Sequence, residues 1–484
     1  MKGVAAPPFR VLIPIRQSKG AFIMDYLSFV EGKKTEFLDD LKKILTYPSI
    51  MGEKVDGAPF GVEVRKCLDE TLKIASRMGF KTFVVNDAVG VVEYGDSEDY
   101  VASLAHLDVV PVGDGWDSDP FVGRIDGDKI FARGAIDDKG PAIASLYSLY
   151  AIKELGVKID KKIRLLFGTN EEEGSNDMPL YLAKEKPPVY AFSPDAEFPV
   201  IHSEKGMVFV RVSWNLDQKN DGVIVEEIVG GTKANVVPDK ATAVLSNVDK
   251  EVVSNLIKEF EEQYPYKWNV QYDSKIRVQC QGISTHAAHP ETGLNAVMGL
   301  IVFLSKLSLN SGVKNTFDWF ATYIDSETDA KKFGIFCEDK YGKLTFNVGI
   351  VDFKNSTLSL DINYRTPVTL DYDAINEKFV KIIRQTGAKI EFVLKDRPLF
   401  YPEDHFLVKT LLEIYRKHVN STTPPLSIGG GTYSKHIPNT VSFGPLFEGK
   451  QDMCHEANEY ASISDLITCS AIYAEAMVKL SVNK

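Results

Sequence analysis

Four segments of this chain combine side chains that hold metal ions with carboxylates able to move protons. The run S-L-A-H-L-D puts His106 at the end of an apolar stretch with Asp108 two residues on. In an extended chain residues two apart point the same way, so the carboxylate can orient an imidazole bound to metal. G-A-I-D-D-K-G supplies Asp137, G-T-N-E-E-E-G supplies Glu171 and Glu172, and S-P-D-A-E-F-P supplies Asp195. Taken singly, the histidine is of a kind that packs in cores and each acidic run is of a kind that faces water. Taken together they all follow predicted buried strands, whose ends converge in space, and unpaired charge gathered there is costly. A divalent cation resolves the repulsion. Imidazole and carboxylate donors without thiolate favour zinc, manganese or cobalt, and one carboxylate can bridge two ions about 3.5–4 Å apart. A second glutamate beside a ligand can serve as general base. Further along, D-M-C-H-E-A-N-E-Y supplies His455, and G-I-S-T-H-A-A-H-P supplies His286 and His289, one of which could reach the site from another domain.

The elements that must position these groups follow from periodicity. Phe37, Leu38, Leu41, Ile44 and Leu45 recur at helical spacing, as do Val64, Leu68, Leu72, Ala75 and Met78. Residues 101–105, 163–167 and 189–192 are near-continuous apolar runs of strand length, the pattern of strands buried on both faces. Between the first two, Ile143, Leu146, Tyr147 and Tyr150 mark a helix over 141–155. Strand, helix, strand predicts an α/β layer with parallel strands. From about residue 204 the texture changes to alternating strands with helices, including a hairpin turning at Lys354-Asn355-Ser356. Helical pattern returns after Tyr401, followed by Gly429-Gly430-Gly431 and a last helix from Ser462. The middle region reads as a separate α+β domain inserted into a catalytic domain built from both ends of the chain.

The bulk composition narrows the partners. At 484 residues and 44% apolar, the chain can bury a large core, and its formal charge of -11 argues against nucleic-acid or anionic-membrane surfaces. Five scattered cysteines, Cys67, Cys280, Cys337, Cys454 and Cys469, form no CxxC pair and fit a reducing cytoplasm. No apolar run approaches the roughly 18 residues a membrane span needs. Residues 1–23, broken by Pro7, Pro8 and Pro14, read as an extension outside the domain.

The motifs taken in order resemble the metallopeptidase family of carboxypeptidase G, aminoacylase and succinyl-diaminopimelate desuccinylase. They are His106-Leu107-Asp108, Asp137-Asp138-Lys139-Gly140, Glu171-Glu172, Asp195, the His286 box running to Gly293-Leu294-Asn295-Ala296, and His455 through Glu459. G-D-G-W-D-S-D-P-F, P-D-A-E-F-P and G-G-G-T-Y are similar to its PepV-like, carnosinase-like dipeptidase branch. The likeness runs from about Met24 to the C-terminus; Glu173, Lys435, His436 and His289 depart from the pattern.

That resemblance implies a zinc-aminopeptidase-like catalytic domain over 24–203 and 402–484, with an enlarged, ferredoxin-like α+β lid over 204–401. It implies that His106 and Asp195 hold one metal, Glu172 and His455 the other, and that Asp137 bridges them through a residue followed by a cis peptide. Glu171 is then the general base, Asp108 orients His106, and His286 stabilises the oxyanion. Arg365 and Asn235 match lid positions that contact substrate, and Gly430, Gly431 and Thr432 join them. The expected protein is a monomeric cytoplasmic dipeptidase with two divalent ions, zinc before manganese or cobalt, acting on small peptides. An N-acyl amino-acid amidohydrolase on the same scaffold is the enzymatic alternative, and a non-catalytic metal-binding protein the alternative of another class.

Overall fold

The computed structural model describes residues 25–219 and 221–482, so the N-terminal extension expected over 1–23 lies outside the described residues. The chain divides into two compact units. The first takes the chain up to His202, then Tyr401–Leu426 and Thr432 onward; the second is Ser203–Phe400 with Ser427–Gly431.

In the first unit the strands run in the order Lys81–Val85, Val89–Tyr94, Lys162–Gly168, Tyr100–His106, Tyr190–Ser193 and Thr440–Ser442. The last four are mutually parallel, with His106 level with Gly168. Tyr100–His106 is buried at every position, because a parallel strand with cover on both faces has no polar side. Its cover comes partly from the helix Lys139–Glu154. Small residues let that helix sit close: Ser145 Oγ lies 3.0 Å from Ser103 Oγ, and Ser148 Oγ donates to Ser470 O at 2.8 Å. Gly140 is required at its first turn, since a Cβ there would lie 2.1 Å from the Ala135 carbonyl oxygen. The C-terminal helix Ile463–Ser481 is capped by Ser462, whose Oγ accepts from Asp465 N. The chain opens with a short helix, Tyr26–Gly32, that no predicted element covers; the next two, Lys34–Leu45 and Val62–Arg77, bury the stripes their periodicity predicts, including Phe37, Leu41, Ile44, Leu68 and Leu72.

The second unit is an eight-stranded antiparallel sheet in the order Lys267–Tyr272, Ile276–Gln281, Lys240–Ser246, Ile224–Gly230, Thr345–Lys354, Thr357–Thr366, Gly206–Asn215 and Lys389–Asp396. The alternation of Ala241, Ala243 and Leu245 with less buried neighbours shows that one face carries the core. The predicted hairpin turns at Asn355 and Ser356, with φ of 50° and 63°, the left-handed pair that a two-residue turn needs. The apolar run around 297–304 is a helix, Ala296–Ser305, buried at every residue. Among the described residues no helix is long and apolar enough to cross a membrane.

Candidate metal centre

Parallel strands bring their carboxyl ends to one edge of the sheet, where ligands of α/β folds gather. His106 ends Tyr100–His106, Glu171 and Glu172 follow Lys162–Gly168, and Asp195 follows Tyr190–Ser193. Asp137 lies just before the helix Lys139–Glu154, and His455 lies in the loop ahead of Tyr460–Ser462. All six belong to the first unit.

Asp137 stands between the two imidazoles. Its Oδ1 is 3.0 Å from His106 Nε2 and its Oδ2 is 3.0 Å from His455 Nε2. On the His106 side Asp195 Oδ2 lies 3.7 Å from the same Nε2; on the other, Glu172 Oε2 lies 3.1 Å from His455 Nε2. The peptide bond Asp137-Asp138 is cis. His106 Nδ1 lies 3.0 Å from the backbone oxygen of Asp108 and 3.5 Å from its carboxylate. The Asp108 carboxylate meanwhile accepts the backbone N–H groups of Glu171 and Glu172, at 3.2 and 3.1 Å. It therefore ties the strand of His106 to the loop of the two glutamates.

The charges are badly balanced without a cation. Burial and then the nearby Asp195 push Glu171 well above the usual carboxylate range, and burial and Asp137 push Glu172 up to about 7. Asp195 is raised by burial as well. Burial works against a charged His106, yet Asp195, Asp108 and Asp137 outweigh it and raise the imidazole well above normal. His455 is raised to about 11 by Asp137 and Glu172. Four carboxylates crowd two imidazoles, and ligand atoms of His106, Glu171 and Asp195, and of His106, Asp137 and Glu172, come within 4.8 Å of one another. Oxygen and imidazole donors in this number suit divalent zinc, manganese or cobalt, so the residues fit the metals their types suggest.

Several supporting residues carried no signal in the sequence beyond membership of a motif. Glu459 accepts the N–H groups of Gly134, Ile136 and Asp137 and an Arg133 N–H, so it organises the turn that presents Asp137. Asp138, fully buried, accepts the His106 N–H at 3.1 Å. An arginine four residues before the candidate bridging aspartate was the available hint, since a buried arginine needs an anion.

The second unit holds the remaining expected residues except Thr432. His286 pairs with Val236 in a short antiparallel bridge, and Asn235 O accepts from Ala287 N at 2.9 Å, so Asn235 and His286 are neighbours. Arg365 is 2% exposed and donates to the Gly429 carbonyl; its Nε lies 3.4 Å from Asn363 Oδ1 and its Nη2 3.5 Å from His286 Nε2. None of these partners carries a negative charge, and burial lowers the guanidinium to about 10. Gly429, Gly430 and Gly431 group with this unit, whereas Thr432 falls in the first, its hydroxyl 2.7 Å from Ser442 Oγ. His289 is exposed beside Glu291, 3.9 Å away.

A mixed α/β sheet with imidazoles and carboxylates gathered at the carboxyl ends of its parallel strands is the framework of a metal-dependent hydrolase. The chain belongs to peptidase family M20/M25/M40, whose model matches residues 102–479. It is 34% identical over 458 residues to the Bacillus subtilis protein named "Putative dipeptidase YtjP", covering 93% of this chain and 98% of that one. A Staphylococcus saprophyticus protein of the same designation is 35% identical over 459 residues, covering 92% and 97%. Among solved structures, human carnosine dipeptidase 1 shares the fold with a TM-score of 0.56 at 15% identity, covering 94% of this chain and 99% of that one. The Saccharomyces cerevisiae dipeptidase Dug1p shares it at 0.56 and 14% identity, covering 94% and 98%.

Proposed function

We propose that this peptidase hydrolyses dipeptides and other short peptides with two divalent ions, zinc before manganese or cobalt. In this reading His106 and Asp195 hold one ion, Glu172 and His455 hold the other, and Asp137 bridges. The observation that carries it is the pair of 3.0 Å approaches from the two Asp137 oxygens to His106 and His455. Relatives named as dipeptidases over nearly the whole chain support the substrate class.

Bound metal ions supply Lewis acidity, which makes a water nucleophilic at neutral pH and polarises a carbonyl. The chain's own groups do the rest. Glu171 takes a proton from the attacking water as its oxygen bonds to the scissile carbonyl carbon. It then returns that proton to the amide nitrogen as the C–N bond breaks, leaving an amino acid with a free amine and a new carboxylate. Glu171 suits this role because one of its carboxylate oxygens lies within 4.8 Å of ligand atoms of His106 and Asp195 while it stays outside the proposed ligand set. His286 donates to the carbonyl oxygen as negative charge develops. Arg365, whose partners among the described residues carry no negative charge, receives the C-terminal carboxylate of the substrate, with Asn235, Gly430, Gly431 and Thr432 as further substrate contacts.

Metal-loaded enzyme assayed on dipeptides, tripeptides and N-acetyl amino acids tests the reading. Preferred turnover of free dipeptides supports it; preferred turnover of N-acetyl amino acids replaces it with a deacylase on the same scaffold.

A further inference from the structure

The loop that carries the two adjacent glutamates is held from both ends by carboxylates. Asp108 accepts the N–H groups of Glu171 and Glu172. Asp177, outside the proposed ligand set, accepts the two preceding ones, Thr169 at 2.6 Å and Asn170 at 3.1 Å, both through Oδ2. Four consecutive backbone donors are thereby shared between two buried anions. The same Oδ2 of Asp177 accepts the Tyr433 hydroxyl at 2.5 Å. Tyr433 is fully buried, and its ring meets that of His106 edge-on, with centroids 6.0 Å apart and planes at 87°. Room for the hydroxyl exists because residue 168 is glycine: a Cβ there would lie 2.0 Å from Tyr433 Oη and 2.7 Å from Asp177 Oδ2.

We infer that Asp177 and Tyr433 are positioning residues that set the register of the Glu171–Glu172 loop against His106. The argument is one of competing demands. Adjacent glutamates must point to different tasks, one toward a metal and one toward water, and a flexible three-torsion side chain cannot fix that choice by itself. The backbone beneath must be held to within a fraction of an ångström, since misplacement of about 1 Å costs on the order of 10²-fold in rate. Asp177 fixes the first half of the loop and Asp108 the second. Tyr433 holds Asp177 at one end of its side chain and packs on His106 at the other, so the loop and the His106 strand are located by one rigid aromatic. Asp177 acts here as a hydrogen-bond acceptor, not as a ligand.

This inference rests on the two-metal reading, and a titration of apo protein with Zn²⁺ against a chelator separates them. Wild type is expected to bind two ions. Asp177→Ala is expected to weaken one of them by about 10- to 10²-fold while the other stays within about threefold, because the hydrogen bonds from Thr169, Asn170 and Tyr433 are lost together. Its kcat should fall by about 10²-fold with KM within about threefold. Asp177→Asn keeps an acceptor at the Oδ2 position and should recover kcat to within about tenfold of wild type. Tyr433→Phe, which removes one hydroxyl and preserves the ring, should fall between wild type and Asp177→Ala and covers the case in which the alanine variant does not fold. Unchanged zinc affinities and kcat in Tyr433→Phe and Asp177→Ala overturn the inference, as does an Asp177→Asn variant no better than Asp177→Ala. A wild type that binds one ion defeats the two-metal reading instead; the affinity of that ion and the split between kcat and KM then still decide the role of Asp177.

Discussion

Arg133 and Glu459 meet at 2.8 Å with side chains 2% and 0% exposed, 326 residues apart in the chain. The guanidinium also donates to the carbonyl oxygens of His455 and Glu456, each at 3.3 Å. Because Glu459 in turn accepts the Asp137 N–H, this pair joins the segment that bears Asp137 to the one that bears His455. Removing one member of a buried ion pair strands the other, which costs about 3–5 kcal/mol. Arg133→Ala should therefore lower the unfolding free energy by that order, read as a lower urea midpoint. Glu459→Ala should cost more, because it also orphans three backbone donors. The double variant should lose less than the sum of the singles; strict additivity in a double-mutant cycle would show that the pair does not act as a unit.

Glu171 and Glu172 are adjacent yet should behave differently when neutralised. Glu171→Gln is expected to keep about two ions per chain and lose on the order of 10²–10⁴ in rate, the scale of a general base. Glu172→Gln is expected to lose metal affinity first, with activity restored in part by excess metal. Elemental analysis beside steady-state kinetics checks both. Exchange of the two phenotypes would assign the ligand to residue 171.

Chelation of the wild-type enzyme should abolish turnover and lower its melting temperature, because a cation that binds only the folded chain stabilises it by mass action. Re-addition of zinc, manganese or cobalt should restore both. Full activity in protein shown by elemental analysis to be metal-free would rule out the proposed chemistry.

For Arg365, the sharp measurement is discrimination between a dipeptide and its C-terminal amide. Two charge-assisted hydrogen bonds to a carboxylate are worth roughly 1.5–3 kcal/mol each when shielded from water. Arg365→Ala should lower kcat/KM for the acid by about 10²- to 10⁴-fold and leave acid and amide nearly equal. A variant that still prefers the acid by the wild-type factor removes Arg365 as the carboxylate receptor.

Far from the metal centre, Glu93 sits among Lys81, Arg164 and Lys162 at 2.7, 2.7 and 3.2 Å. Burial opposes its ionisation, but these three cations prevail and hold its carboxyl down at about 2. A carboxylate whose folded pKa is depressed adds stability that is complete above its unfolded pKa, near 4.3, and is lost as pH falls toward the folded value. In chelator-treated protein, Glu93→Gln should therefore lower the melting temperature by several degrees at pH 7 and by progressively less between pH 4.5 and 2. A melting difference that stays constant across that range would mean the carboxylate charge is not what stabilises the site.

The parts of this protein that were legible in the sequence are those encoded by local pattern. Buried parallel strands announce themselves as short unbroken apolar runs, and His106, Glu171, Glu172 and Asp195 follow such runs directly, so their convergence is legible in the sequence alone. The hairpin at Asn355 and Ser356 and the start of the last helix at Ser462 were equally local, each set by the residue types within a few positions. What the sequence could not determine were relationships between side chains distant in the chain. The hydroxyl of Tyr433 on Asp177 spans 256 residues, and neither residue type nor spacing predicts that pairing. The glycine segment divides between the units at a point that no composition change marks: Gly431 groups with the second unit and Thr432 with the first. Residue type settled which groups are able to hold a cation. Which backbone amides hold those groups still was decided only by tertiary structure, because a buried carboxylate takes whatever donors the packed chain brings within about 3 Å.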